Sequence, residues 1–277
     1  RYFGLAEHET TAKREILAGV TTFLTMAYIV FVNPAILSDA GMDRDAAFVA
    51  TCIAAAFGSL LMGLLANYPI ALAPGMGLNA FFTYTVVAQM GHSWQTALGV
   101  VFLSGLIFLA LSVLPVREWI VNAIPRALKM AISAGIGMFL AIIALKNAGI
   151  VVDSPATLVQ LGDLAAPGAL LAALGFFVMV AMDRLNIPGA ILIAVIGVTV
   201  IAMVAGLQSF SGIAAAPPSI APTFLELDLA SALELSLISV VFAFLFVDLF
   251  DTAGTLIGVA ALLTWVAALP TPDDGEA

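Results

Sequence analysis

Two carboxylates stand in the middle of an otherwise apolar run, in the segment FLFVDLFDTAGTLIG. Asp248 and Asp251 are three residues apart, so on a helix they share one face about a turn apart, with Thr252 beside them. A carboxylate at bilayer depth is costly, and acids within membrane spans generally face a bundle interior or a water path. Such a pair could accept hydrogen bonds from N–H donors of a ligand, and one member could cycle between protonated and ionised forms. The segment therefore predicts a ligand or proton site.

A structural role is the alternative for these acids, in which one of them pairs with a lysine or arginine and does nothing else. The sequence disfavours this alternative, because no lysine or arginine lies in the interior of any predicted span.

A second segment, NYPIALAPGMGLNAFFTYTVVAQM, concentrates Pro69, Pro74, Gly75 and Gly77 just before a good helical run. Proline removes an amide donor and disfavours helix in the residue before it, while glycine allows close backbone approach. We expect a broken span, with an extended piece near 70–73 and a half-helix that begins near 75–78.

Lipid cannot satisfy the backbone groups that a break frees, so the break must be buried in protein or face a wet cavity. A half-helix start aims amides and the positive end of the helix dipole at that cavity, and discontinuous helices are typical of transporter substrate sites. Asn79, in the first turn, offers a ligand both a donor and an acceptor. The alternative is a packing kink in which Asn79 bonds a neighbouring helix.

A third segment, GVTTFLTMAYIVFVNPAIL, clusters Thr21, Thr22 and Thr25 in one half of a span. Threonines in membrane helices often bond the carbonyl four residues earlier in their own helix. A local role and a pocket role for Thr25 are equally compatible with the sequence.

The composition identifies the elements that must position these residues. Apolar residues make up 62% of the 277 residues and charged residues only 10%, against about half and a quarter in a soluble globular chain. Apolar runs of about twenty residues recur, the length of a helix that crosses the hydrocarbon core. The sequence therefore predicts an all-α polytopic membrane protein, and the net charge of −9 is interpreted as solvation of loops and tails.

About eight transmembrane helices are predicted from the apolar runs and their punctuation. They lie near 16–37, 46–66, 70–90, 96–114, 128–145, 167–182, 187–207 and 233–259. Basic residues favour the cytoplasmic side, and an internal N-terminus places seven of the nine there. The connections 146–166 and 208–234 are expected to be external surface cover, with an amphipathic pattern towards the end of 208–234.

Other kinds of site lack support in the sequence. Cys52 is the only cysteine and there are two histidines, so neither an internal disulfide nor a metal site is expected. No nucleotide-binding loop is present, and we expect no cofactor and no nucleic-acid partner.

Three segments together resemble the nucleobase cation symporter family two, the xanthine/uracil permease superfamily, and most closely its adenine/guanine/hypoxanthine permease branch. They are GVTTFLTMAYIVFVNPAILSDAGMD (19–43), PIALAPGMGLNAFF (69–82) and FVDLFDTAGTLIGVA (246–260). The resemblance implies a fold of fourteen spans in two inverted seven-helix repeats. It further implies that this chain holds the first repeat and the start of the second, and lacks the C-terminal part.

The resemblance also implies roles for particular residues. Asp251 matches the substrate-binding carboxylate of span eight, and Asp248 matches its companion acid. The backbone at Gly75, Met76 and Gly77 matches the start of the half-helix in span three. Asn79 matches the polar residue of the purine branch. Phe81, Thr252 and Thr25, chosen for the chemistry and position of their own side chains, complete the expected substrate-binding set.

The expected organisation is a cytoplasmic segment 1–15, a seven-span repeat 16–207, an external segment 208–235, and a final span with an acidic tail, 236–277. The expected function is proton-coupled import of adenine, guanine or hypoxanthine across the cytoplasmic membrane, with Na⁺ as the alternative coupling ion. The other functions considered are transport of xanthine, uracil or an anion on the same fold, and an intramembrane aspartyl protease. The expected partners are a purine base and the lipid bilayer, with a homodimer left open.

Overall fold

The computed structural model describes residues 3, 10–113, 126–185, 187, 189–209, 212, 216–250 and 252, and these are mainly helical. The helices are α1 (Ala12–Met26), α2 (Ile29–Asp39), α3 (Arg44–Leu61), α4 (Met76–Ala80), α5 (Trp94–Val113), α6 (Arg126–Asn147), α7 (Pro167–Arg184), α8 (Ala190–Val204), α9 (Leu229–Ala232) and α10 (Leu235–Phe250). Two π-helical segments extend α3 and α4, over Met62–Ala66 and Phe81–Gln89.

Four helical stretches in the described part of the chain are long and apolar enough to cross a membrane. They are Ala12–Asp39, Arg44–Ala66, Trp94–Val113 and Pro167–Arg184. Large apolar side chains point outward from them; Phe23 and Phe57, for example, are each 63% exposed. A surface this apolar suits lipid. The chain is a multi-pass helical membrane protein, and helix lies within each predicted span, although the count of eight stays a prediction.

Helix starts follow local signals in the sequence. The Thr11 hydroxyl accepts from the amide of Arg14 at 3.3 Å at the start of α1, and the Asp43 carboxylate accepts from the amide of Ala46 at 2.8 Å at the start of α3. Pro167 begins α7, where its missing amide costs no helical hydrogen bond. These caps satisfy helix-end amides that would otherwise lack partners.

The first span is two helices rather than one. It is interrupted at Ala27 and Tyr28, and α2 then contains Pro34. Proline removes one hydrogen bond of the helix and clashes with the preceding turn, so a bent path through this span is expected.

One β-hairpin corrects the all-α prediction. Strands β1 (Val151–Ser154) and β2 (Leu158–Leu161) pair antiparallel, with Val151 opposite Leu161, inside the connection that was expected to be surface cover. Two short aliphatic runs flank the turn 155–157, a hairpin signal that was overlooked. Lys146 and Asp153 form an ion pair across 3.3 Å beside it.

Contacts along the chain form two compact units. The first comprises Arg1–Tyr84 and Phe139–Leu225, and in it α2 packs on α3 and on α4, α7 packs on α8, and α1 packs on α8. A Cβ built on Gly175 of α7 would lie 2.7 Å from Val198 Cγ2 of α8, so a larger residue there would force Val198 to shift.

The second unit comprises Thr85–Met138 and Glu226–Ala277, and its described core joins α5 to α9. Asp228 caps α9 by accepting from the amide of Ser231 at 3.1 Å, and Thr96 of α5 donates to its other oxygen at 3.4 Å. Hydrogen bonds from Ser231, supported by the one from Thr96, hold the pKa of the Asp228 carboxyl below its ordinary value. A Cβ on Gly99 would lie 2.5 Å from the Asp228 carbonyl oxygen, so α9 approaches α5 at a glycine.

Candidate functional site

The third span is broken as predicted. Residues 67–75 form no helix, and Asn67 adopts a left-handed φ of 51° at the point where the chain leaves the π-helical end of α3. Ser59 of α3 binds the interruption from the side: its hydroxyl accepts from the Leu72 amide at 2.9 Å and donates to the Leu72 carbonyl at 3.2 Å. One serine thus satisfies both backbone groups of a non-helical residue.

Helix resumes at Met76, directly after the extended residue Gly75 (φ −71°, ψ 117°). This start lies within the predicted range, and the first helical bond joins the Asn79 amide to the Gly75 carbonyl at 3.2 Å. The amides of Met76 and Gly77 lie in the first turn, where a helix provides no acceptor of its own. The helix continues through the π-helical segment, where Phe81 is half-buried and Phe82 is buried.

Asn79 belongs to a chain of side-chain hydrogen bonds across three helices. Its amide nitrogen donates to Oδ1 of Asn33 in α2, and the Asn33 amide nitrogen donates to the Thr51 hydroxyl in α3 at 2.8 Å. Thr51 in turn donates to the carbonyl of Ala47 at 2.7 Å. Asn33 and Thr51 are each 3% exposed, whereas Asn79 is only half-buried. The bond to a neighbouring helix that the packing alternative anticipated therefore exists, and it uses the nitrogen of Asn79.

Asn33 and Thr51 were not predicted as members of the candidate site. Asn33 precedes Pro34 in the first span and was visible as a polar residue there, but nothing in the sequence paired it with a residue 46 positions later. Thr51 lies in the run VATCIAAA, which is rich in small residues and in which a threonine gives no signal of function.

Thr25 makes the local bond that one of its two interpretations anticipated. Its hydroxyl donates to the Thr22 carbonyl at 2.7 Å, while Thr21 and Thr22 donate to the Leu17 and Ala18 carbonyls, each at 3.0 Å. A threonine that donates within its helix can still accept from a ligand. A pocket role for Thr25 stays a prediction.

The described part of the acidic segment lies in the second unit, in α10. Asp248 is half-buried, and its Oδ1 accepts from the Thr252 hydroxyl at 3.3 Å, one turn further on. Asp251, the residue expected to hold the ligand, lies outside the described residues. That this segment and the broken span face one ligand stays a prediction.

A cavity of about 590 Å³ lies in the first unit, where α1 begins and the chain leaves α3. Its lining includes Asn67, Tyr68 and the carboxylate of Glu15, which accepts a hydrogen bond from the Thr10 hydroxyl at 2.7 Å. None of the predicted site residues that the structure describes is among those that line it. Among the residues that the structure describes, no group of histidine, cysteine and acidic side chains could hold a metal ion.

Long apolar helices, an interrupted span and polar side chains bonded between helices together define a polytopic membrane protein of the transporter type. Comparison with known sequences then gives the family: residues 13–265 match the permease family, and the chain belongs to the xanthine/uracil permease family. The family recognised from the three segments is confirmed. Its members are permeases, so the aspartyl protease alternative is wrong.

Several curated proteins are similar to this chain. A permease of Methanocaldococcus jannaschii is 55% identical over 94% of the chain and 60% of its own length. The adenine permease AdeP of Escherichia coli is 49% identical over 94% of the chain and 58% of its own length, and the guanine/hypoxanthine permease PbuO of Bacillus subtilis is 44% identical over 93% and 61%. The chain thus spans about three fifths of the length of these relatives.

Proposed function

We propose that the protein takes part in the import of purine nucleobases, namely adenine, guanine and hypoxanthine, across the cytoplasmic membrane, with its N-terminus inside. The observation that carries the proposal is the interrupted third span, in which a helix begins at Met76 and presents Asn79 one turn later. The names of its relatives support the choice of ligand, since they include adenine and guanine/hypoxanthine permeases.

A purine needs a flat slot, partners for its ring N–H groups, and apolar or aromatic walls. In the proposed site Asp251 accepts from ring N–H groups, and the first-turn amides at Gly75, Met76 and Gly77 donate to ring acceptors. Phe81 supplies an aromatic wall. Thr252 hydrogen-bonds Asp248 and orients that carboxylate within the helix.

Coupling to protons is proposed to use the acidic pair. Two carboxylates three residues apart resist ionising together, so one of them can take up a proton from outside as the base binds and release it inside as the base leaves. Asp248 is the proposed relay, because it lies a turn away from the ligand-binding Asp251. Sodium coupling is the alternative for the same acids, and homodimer formation stays a prediction.

The same fold could carry xanthine, uracil or an anion. Two carboxylates in the site argue against a bare anion, because they would place negative charge beside it. No observation in the described residues favours xanthine or uracil over the purines named above.

The test is uptake of labelled adenine, guanine and hypoxanthine by cells that lack their own purine permeases and express the complete reading frame containing this chain. Uptake that a proton ionophore abolishes would support the proposal, and absence of uptake of all three bases would overturn it. Asp251→Asn should abolish uptake, while Asp153→Asn on the exposed hairpin, the control at a carboxylate outside the proposed site, should leave it unchanged. Asp248→Asn should retain base binding and lose the dependence on the proton gradient.

A further inference from the structure

In the hydrogen bonds that join Asn79, Asn33 and Thr51, each residue donates to the next. Thr51, the last of the three, fixes this direction of donation. A threonine hydroxyl has a single proton, and Thr51 donates it to the Ala47 carbonyl at 2.7 Å. Towards Asn33, therefore, the Thr51 oxygen can only accept.

The same direction of donation holds for all three residues, because an amide side chain has a donating nitrogen and an accepting oxygen. Asn33 must turn its nitrogen to Thr51, at 2.8 Å, and so presents Oδ1 to Asn79. Asn79 must then turn its nitrogen to Asn33, which leaves its own Oδ1 on the opposite side of the amide. A reversed Asn79 would bring two carbonyl oxygens together and would be repelled.

The three hydrogen-bonded residues differ in burial: two are buried and one is half-buried. Asn33 and Thr51, each 3% exposed, are enclosed where α2 packs on α3, so they cannot themselves touch a ligand of the half-helix. Asn79 is half-buried at the start of that half-helix. A hydrogen-bond chain with a fixed buried end and a partly open end is suited to hold one orientation of the open group.

We propose that Asn33 and Thr51 are positioning residues that lock the Asn79 amide with its oxygen outward, so that the site accepts a hydrogen bond from a ring N–H group of the ligand. The proposal rests on the proposed function and sharpens it. Asn79 becomes an acceptor and a selectivity element, and a base that carries a methyl group on the nitrogen facing it is rejected. A site built around one hydrogen bond discriminates strongly against a ligand that cannot make it.

The experiment compares Thr51→Val with Thr51→Ser in the complete reading frame, using inhibition of labelled hypoxanthine uptake by unlabelled hypoxanthine and by its singly N-methylated forms. The readout is the ratio of the inhibition constants, which does not depend on how much folded protein reaches the membrane. Thr199→Val is the matched control, because Thr199 also donates to the carbonyl four residues earlier, that of Val195, at 2.7 Å.

Wild-type protein, Thr51→Ser and Thr199→Val should all reject at least one methylated base strongly. Thr51→Val should narrow that discrimination by about tenfold, since loss of the acceptor lets both amides reverse and one hydrogen bond is worth about a factor of ten. Equal ratios in Thr51→Val and wild-type protein would overturn the proposal while leaving purine transport intact. Absence of uptake by the wild type would instead overturn the proposed function, and the inference with it.

A second pair of variants covers the case in which Thr51→Val does not fold. Asn33→Asp keeps an acceptor facing Asn79 and should keep the wild-type discrimination, whereas Asn33→Leu removes the acceptor and should lose it. The opposite order, or no difference between these two variants, would contradict the proposal.

Discussion

The α1 half of the first membrane segment and the interrupted third segment hold polar side chains that are bonded in different ways. In the first, the hydroxyls of Thr21, Thr22 and Thr25 donate to carbonyls of their own helix three or four residues earlier. In the third, Ser59 reaches in from α3, and Asn79 reaches out to α2. A polar group satisfied within its own helix reveals little about function, whereas one bonded between helices fixes their relative positions and can orient a group toward a ligand.

The largest effect on purine uptake is expected at Asn79, whose side chain bonds a different helix. Asn79→Leu removes the proposed acceptor for the base and leaves Oδ1 of the buried Asn33 without its donor. We expect purine uptake to fall by at least about 100-fold, because a site that binds through a hydrogen bond discriminates strongly when one partner is missing. The measurement is the initial uptake rate per molecule of transporter in the membrane. Uptake within about twofold of wild type would place Asn79 outside the site.

The next largest effect is expected on the stability of the folded protein, at the interruption of the third span. Ser59→Ala deprives the Leu72 amide and carbonyl of their partner. Ser38→Ala is the matched control, because the Ser38 hydroxyl donates within α2, to the Ala35 carbonyl at 2.7 Å. We expect Ser59→Ala to destabilise the protein by about 1–3 kcal/mol, the cost of leaving such groups unpaired. Ser38→Ala should change stability by about 0.5 kcal/mol or less.

Thermal unfolding of the purified protein in detergent would measure both variants. An equal shift of the midpoint in the two variants would mean that the bonds of Ser59 hold the interruption no more strongly than a bond within a helix does.

A smaller effect on uptake is expected at Thr25, whose hydroxyl bonds within its own helix and which is nevertheless a predicted site residue. The proton of its hydroxyl is committed to the Thr22 carbonyl, so Thr25 can contribute only an acceptor to a pocket. We expect Thr25→Val to raise KM for purine uptake by about threefold or less, with kcat unchanged, as for loss of one weak contact. A loss comparable with that of Asn79→Leu would show that the first span contributes as much to binding as the third.

The smallest effect is expected at Thr22, which bonds the Ala18 carbonyl and is not among the predicted site residues. Thr22→Val should leave uptake kinetics unchanged and alter stability by about 0.5 kcal/mol or less. A clear defect in uptake would contradict the view that a threonine bonded within its own helix is structural.

Local signals made much of the fold predictable from the sequence. Pro69, Pro74 and Gly75 located the interruption of the third span and the restart of the helix within a residue or two, because proline and glycine constrain the backbone wherever they stand. The π-helical segments Met62–Ala66 and Phe81–Gln89 left no comparable signal in an apolar run. The hairpin 151–161 was overlooked because its strands are short and lie in a connection judged by its composition alone.

The candidate site was predictable only in part, for a different reason. Asn79 was identified because it follows the glycines by a few residues, whereas the importance of Asn33 and Thr51 depends on contacts between residues far apart in sequence. Single-sequence periodicity describes which face of a helix a residue occupies and cannot pair that face with a particular neighbour. For the acidic segment, the structure adds the bond between Asp248 and Thr252, while Asp251 lies outside the described residues.

The most direct test of a ligand at the third span is protection of a single thiol. Cys52 is the only cysteine of these 277 residues, so Cys52→Ser, with any cysteine elsewhere in the complete reading frame also replaced by serine, provides a background for two single-cysteine proteins. One carries Met76→Cys at the half-helix, and the other carries Gly19→Cys in α1, where an added Cβ meets nothing within 4 Å. We expect saturating hypoxanthine to slow maleimide labelling of the Met76→Cys protein severalfold and to leave labelling of the Gly19→Cys protein unchanged. Labelling of the Met76→Cys protein at the same rate with and without the base, in a protein that takes up hypoxanthine, would contradict a ligand at the third span.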